Sequence, residues 1–148
     1  MAYDRVDNWH ASQPEGVSEE ALMAHAALYL AWLALSGLVV PGEDNEAIDA
    51  DLAARRITPL DWYWDRFANS FYPEDLTPAG QRFTEAYYVT GYDPEVGEAE
   101  DLGGYFDDYS DAFPTGEMFD VAGNWADFDL LAPRIATRHA AFLRGELT

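Results

Sequence analysis

Three histidines, 28 carboxylates and not one cysteine are the groups in this 148-residue chain with which proton transfer, nucleophilic attack or metal binding would have to be done. Without a thiol there is no cysteine nucleophile, no thiolate zinc site and no disulfide framework. His10, His25 and His139 fall in three separate regions, and none has the i, i+4 spacing or the neighbouring carboxylates of a metal-binding helix. His25 sits in an apolar run, which points to a core or boundary histidine with a hydrogen-bond partner. His10, beside Trp9, has no nucleophile that can be paired with it, so a structural role is expected there too. Gly103-Gly104 stands alone among acids and makes no phosphate-cradling loop. No twelve-residue window meets the EF-hand demands, although Asp107, Asp108 and Asp111 could form a loose divalent-ion site. Carboxylates are so numerous that no acid–base pair stands out. A glycosidase-like or sugar-binding use of Trp9, Trp62 and Trp64 with nearby acids remains an alternative.

The distinctive chemistry is the charge. Against the 28 acids stand eight basic residues, all Arg, for a formal net charge of −20. Direct binding to nucleic acid or to anionic lipid through a basic patch is thereby excluded. Residues 92–129 hold twelve of the acids and no Arg, Lys or His, interleaved with Tyr92, Tyr105, Phe106, Tyr109, Phe113, Phe119, Trp125 and Phe128. Disordered acidic tails lack such rings, so this stretch is expected to fold onto the body as loops and short helical turns, rings inward and carboxylates outward. Such a surface would steer a basic protein inward. The residues expected to meet it are Tyr92, Asp93, Glu95, Glu98, Glu100, Asp101, Tyr105, Asp107, Asp108, Tyr109 and Asp111.

The elements that must position these groups read as helices. Apolar residues make up 49% and aromatics 15%, enough for one packed core in a chain of this length. Ser18 as N-cap, Glu19 and Glu20 in the first turn and Gly37 as C′ residue predict a helix over 19–36. Residues 21–40 are long and apolar enough to span a bilayer. Acidic flanks, no Arg within reach and six alanines favour a buried central helix instead. A second helix is predicted over 45–56. Thr58-Pro59 and Thr77-Pro78 start two more, over 59–69 and 78–90, and a last helix is predicted over 133–144. The amino terminus carries no apolar signal region, and a cytoplasmic address is expected.

Several stretches taken together are similar to an uncharacterised bacterial domain family. They are Ala2-Tyr3-Asp4-Arg5-Val6-Asp7 with Trp9-His10, then Ala24-His25 leading to Leu30-Ala31-Trp32 and Gly37-Leu38. They continue with Phe71-Tyr72, Glu74-Asp75-Leu76-Thr77, Gly80, Phe83, Tyr87-Tyr88 and Asp107-Asp108-Tyr109. The likeness runs from residue 2 to about 111, with Asn8 inserted between Asp7 and Trp9. It implies a domain with no assigned catalytic activity, of the type of immunity proteins in bacterial toxin systems. The expectation is therefore a mainly α single domain over residues 1–148, not an enzyme, with no cofactor and no metal. It would neutralise a basic toxin domain by covering it, and the runner-up is a DNA mimic that inhibits a nucleic-acid enzyme.

Overall fold

A computed structural model describes residues 2–89, 92–93, 98–99, 104–114 and 118–146, the two short pairs by backbone alone. Helices dominate it. The longest apolar run becomes α1 (Ala24–Leu35), in which nine of twelve residues are buried, so helix propensity from its alanines and all-round burial act together. Ser18 Oγ does accept a bond from the Ala21 amide. The turn that follows, Glu20–Met23, is a 3₁₀ turn, however, so the α-helix begins later than its cap signal suggests. Its end is as expected. Gly37 takes a left-handed φ of +76° while Leu38 N–H bonds to Leu33 O and Gly37 N–H to Ala34 O. No helix among the described residues is long and apolar enough to cross a membrane.

Around α1 pack α2 (Glu46–Ala53), α3 (Pro59–Phe67), α4 (Pro78–Tyr87), α5 (Tyr105–Ala112) and α6 (Trp125–Leu143). Both threonine–proline signals work as expected: Thr58 Oγ1 accepts from the Asp61 amide and Thr77 Oγ1 from the Gly80 amide, each at 3.1 Å. Gly80 also permits a close crossing, since a Cβ there would lie 2.5 Å from Leu38 O. The second, third and fourth helices each stop two or three residues earlier than predicted. After α2, Arg55 turns left-handed at φ +58°, and after α3, Ala68 does so at φ +59°. Strand β1 (Asp4–Arg5) pairs antiparallel with β2 (Ser70–Phe71), placing Asp4 opposite Phe71, and β3 (Tyr92–Asp93) pairs antiparallel with β4 (Glu98–Ala99).

The last helix departs most from expectation. It starts at Trp125, eight residues before the proline that had looked like its first turn. Asn124 Oδ1 accepts from the Asp127 amide at 2.9 Å, and Asp127 Oδ2 accepts from the Gly123 amide, a reciprocal cap. Pro133 lies within the helix. Phe128, Leu131 and Ile135, buried on either side of it, carry the helix through the missing backbone bond.

Candidate functional site

Period-two alternation in β1 exposes Arg5 and turns Asp4 fully inward. Short 3₁₀ turns at Val6–Asn8 and His10–Ser12 then fold the chain back so that its own side chains reach that carboxylate. Oδ1 accepts from the Arg5 amide (2.8 Å), Asn8 Nδ2 (3.3 Å) and Trp9 Nε1 (2.8 Å). Oδ2 accepts from His25 Nε2 (2.8 Å) on α1 and from the Tyr88 hydroxyl (2.5 Å) just past α4. A carboxylate only accepts, so the His25 nitrogen facing it carries the proton. The imidazole is walled by Trp9 (4.7 Å between ring centres), Phe106 (5.6 Å) and Tyr109 (6.3 Å). Its backbone carbonyl accepts from the Tyr105 hydroxyl at 2.5 Å. Burial pushes the Tyr88 phenol well above its ordinary range, with the Asp4 charge adding to it, and burial does the same to Tyr105. Both hydroxyls therefore remain donors across the working pH range. Tyr63 lies in the field of the same carboxylate, and its hydroxyl is the one buried side-chain polar atom among the described residues that lacks a partner.

An aspartate–histidine pair supports proton transfer when the imidazole also faces a nucleophile or a substrate cleft. Asp4, His25 and Tyr88 line none of three cavities found among the described residues. The arrangement acts as a clamp that joins the amino-terminal segment to α1 and the end of α4.

A second buried carboxylate orders α5. Asp108 points inward, accepting from Arg138 Nε (2.9 Å) and Nη2 (3.1 Å) on α6 and from the Tyr87 hydroxyl (2.6 Å). The hydrogen bonds that Arg138 donates to Asp108 raise its guanidinium pKa, and burial followed by Asp108 raises that of Tyr87. On the outer side of α5, Asp107 is half-buried while Ser110 and Asp111 are exposed, and Arg134 approaches Asp111 at 4.0 Å. A cavity of about 300 Å³ opens there, lined by Phe106, Asp107, Tyr109, Ser110, Phe113, Pro114 and Met118. A second, of about 470 Å³, is lined by Asp108, Leu130, Pro133, Arg134, Thr137 and Arg138.

Of the residues expected to meet a partner, Asp107 and Asp111 are accessible to some degree, whereas Tyr105, Asp108 and Tyr109 are interior. The tyrosines are needed by the core and Asp108 by Arg138, so these three are removed from the outward surface. Glu95, Glu100 and Asp101 lie outside the described residues, and of Tyr92, Asp93 and Glu98 only the strand backbone is described. The divalent-ion alternative loses Asp108 for the same reason, and no group of three metal-ligating side chains gathers among the described residues. Trp9, Trp62 and Trp64 bond separately to Asp4, Asp49 and the Glu20 carbonyl and line none of the main cavities. His10 faces Asp7 and Glu19 at the surface, and His139 packs on Trp32 and Phe83. Asp4, Tyr88 and Arg138 were not singled out by type or spacing. Their roles come from partners 21 to 84 residues away, which no local pattern encodes.

A family model described as a domain of unknown function, DUF7832, matches residues 2–121. The chain belongs to this family. No curated protein and no solved structure matches it. The DUF7832 match takes in Asp4, Trp9, His25, Tyr88 and the whole of α5. Arg138, which holds Asp108 from α6, lies beyond the matched residues.

Proposed function

We propose that this DUF7832 protein binds a basic surface of another protein and covers it, as an immunity protein neutralises its toxin. What carries the reading is how the positive charge is spent. Seven of the eight arginines already face carboxylates of this chain: Arg5 with Asp7, Arg55 with Asp129, Arg56 with Asp51, Arg66 with Asp49, Arg134 with Asp111, Arg138 with Asp108 and Arg144 with Glu146. The acid excess behind the net charge of −20 is thus left to act on solvent and on whatever approaches. A field of that size raises the association rate of a basic partner and fixes its orientation. The accessible edge of α5, with Asp107, Ser110 and Asp111 beside a cavity, supplies a docking point within that field.

The test is binding to the product of the adjacent gene at about 0.1 M and about 1 M salt, where the screening length falls from about 10 Å to about 3 Å. A complex whose association slows steeply with salt is expected. Replacing Asp107 and Asp111 together by Asn should slow association further while leaving the melting temperature nearly unchanged. No complex at either salt concentration would overturn the proposal.

A further inference from the structure

We infer that the groove between the end of α1 and α2 seats an apolar side chain of a basic partner, with arginines or lysines of that partner flanking it. The inference rests on the reading above for the partner, but the preference of the groove can be measured without one. The groove, of about 340 Å³, is walled by Ala34 and Leu35 at the end of α1, Val39 and Pro41 in the loop that follows, and Leu52 and Ala53 on α2. Such a volume lies at the low end of small-molecule sites and suits one or two side chains. Leu35 lines the groove and Val40 stands between two residues that do; they are two of the five large apolar side chains left exposed among the described residues. An exposed apolar patch beside a concavity marks a place where another molecule docks.

Both walls are fixed before anything binds. Leu38 O accepts from the Thr77 amide (3.0 Å) and hydroxyl (3.2 Å), Val40 N–H donates to Asp75 O (2.9 Å), and Arg66 Nη2 donates to Val40 O (2.8 Å). On the α2 side, Asp49 Oδ1 accepts from Trp62 Nε1 and Arg66 Nε, both at 2.9 Å. Asp49 also lines the groove, but with Arg66 against it the lining has no net charge, which favours an apolar occupant over an ion. The free charge is at the rim. Glu43 follows Pro41 by two residues, and Glu46 precedes Asp49 and Ala53 by three and seven, the spacing that puts it on their side of the helix. Both side chains are exposed, and neither carboxylate has an ion-pair or hydrogen-bond partner among the described residues. Arg55 and Arg56, past the other end of α2, are turned to Asp129 and Asp51. A second copy of this chain, itself at −20, would be repelled by that rim, as would an anionic lipid surface, whereas flanking arginines or lysines meet it with complementary charge.

Leucine-methyl spectra of the whole protein provide the test, because Leu35 and Leu52 line the groove and Leu131, buried on α6, is an internal control. The probe is a capped peptide in which a leucine stands between pairs of arginines. It should move Leu35 and Leu52 saturably and leave Leu131 in place. The same peptide with alanine for leucine should bind about tenfold more weakly, and one with glutamates for the arginines weaker still. Glu43→Gln with Glu46→Gln should weaken the leucine probe by about threefold and reduce its sensitivity to salt. Ala53→Phe, which fills the groove from an exposed helical position, should abolish the response with Leu131 unmoved. Equal affinity for the leucine and alanine probes, equal affinity for arginine and glutamate flanks, parallel movement of Leu131, or no movement of Leu35 and Leu52 would each overturn the inference. A protein that answers to the leucine probe but forms no complex with a basic partner would sink the proposed function and leave this inference standing. A salt-sensitive complex that Ala53→Phe leaves intact would do the opposite.

Discussion

Replacing Asp4 tests whether the interior of this protein is organised by a single carboxylate. In Asp4→Ala, three donors on fully or nearly fully buried side chains lose their acceptor at once: Trp9 Nε1, His25 Nε2 and the Tyr88 hydroxyl. Each orphaned buried donor costs about 1–3 kcal/mol. The losses do not add fully, because the hydroxyl can rotate and the imidazole can shift its proton. The expected total is about 3–5 kcal/mol, above the cost of one orphaned donor and below the full sum of three. That is a large share of the stability of a domain of this size, typically about 5–15 kcal/mol.

Asp4→Asn separates acceptor number from shape. Its amide oxygen can serve the three donors on the Oδ1 side, while its NH₂ faces His25 and Tyr88, each of which can turn from donor to acceptor. The expected loss is about 1–3 kcal/mol, roughly that of the charge assistance alone. Urea unfolding followed by tryptophan fluorescence, with a check that the slope of free energy against denaturant is unchanged, reads both variants. If Asp4→Ala loses less than about 1 kcal/mol, or if Asn is as damaging as Ala, the donor-counting argument is refuted.

Arg138→Met should destabilise by about 2 kcal/mol, less than a fully buried pair because the Arg138 side chain is 38% exposed while that of Asp108 is 5% exposed. Adding Asp108→Asn to that variant should recover part of the loss in the same urea assay, and an additive double mutant would contradict the pairing. His139 packs on Trp32 and Phe83, and its partial burial lowers its pKa. The unfolded chain therefore takes up a proton near pH 6.5 that the folded chain refuses, so stability should fall as pH drops from there to the folded value. His139→Phe should flatten that part of the curve of melting temperature against pH. Ala68 holds a left-handed φ of +59°. Ala68→Gly should relieve that strain and stabilise by about 1 kcal/mol, and any loss of stability would show that the alanine methyl is needed for packing.

What was legible in the sequence was what neighbouring residues decide. A threonine before a proline caps a helix through atoms three residues apart, and Thr58 and Thr77 do so; Gly37 closes α1 by the same kind of short-range geometry. The apolar surroundings of His25 implied a satisfied core histidine, and its partner could not be named because it is 21 residues distant. Pro133 misled because its signal for a first turn is local, whereas the reason the helix continues through it is tertiary: Phe128 and Ile135 are both buried. The carboxylates misled in the same way. All 28 look alike in a linear reading, and only the fold distinguishes Asp4 and Asp108, which have buried donors waiting for them, from Asp111, which meets solvent.

The two interior acids are linked through consecutive residues. At the end of α4, Tyr87 donates to Asp108 and Tyr88 to Asp4, so one short piece of backbone reports to both carboxylates. On α5, Tyr105 reaches the His25 carbonyl and Asp108 accepts from Arg138, while the residues next to them, Phe106 and Tyr109, both contact the His25 ring and line the cavity. Helical spacing makes this division unavoidable: positions 105 and 108 anchor, 106 and 109 form the wall, and 107, 110 and 111 look outward. Buried charge is a poor source of stability compared with apolar packing, but it is selective about geometry, since each carboxylate oxygen is satisfied only when several elements arrive together. In a protein with acids to spare, holding two of them inside gives α5 one orientation, and with it one arrangement of Phe106, Asp107 and Tyr109 around the adjoining cavity.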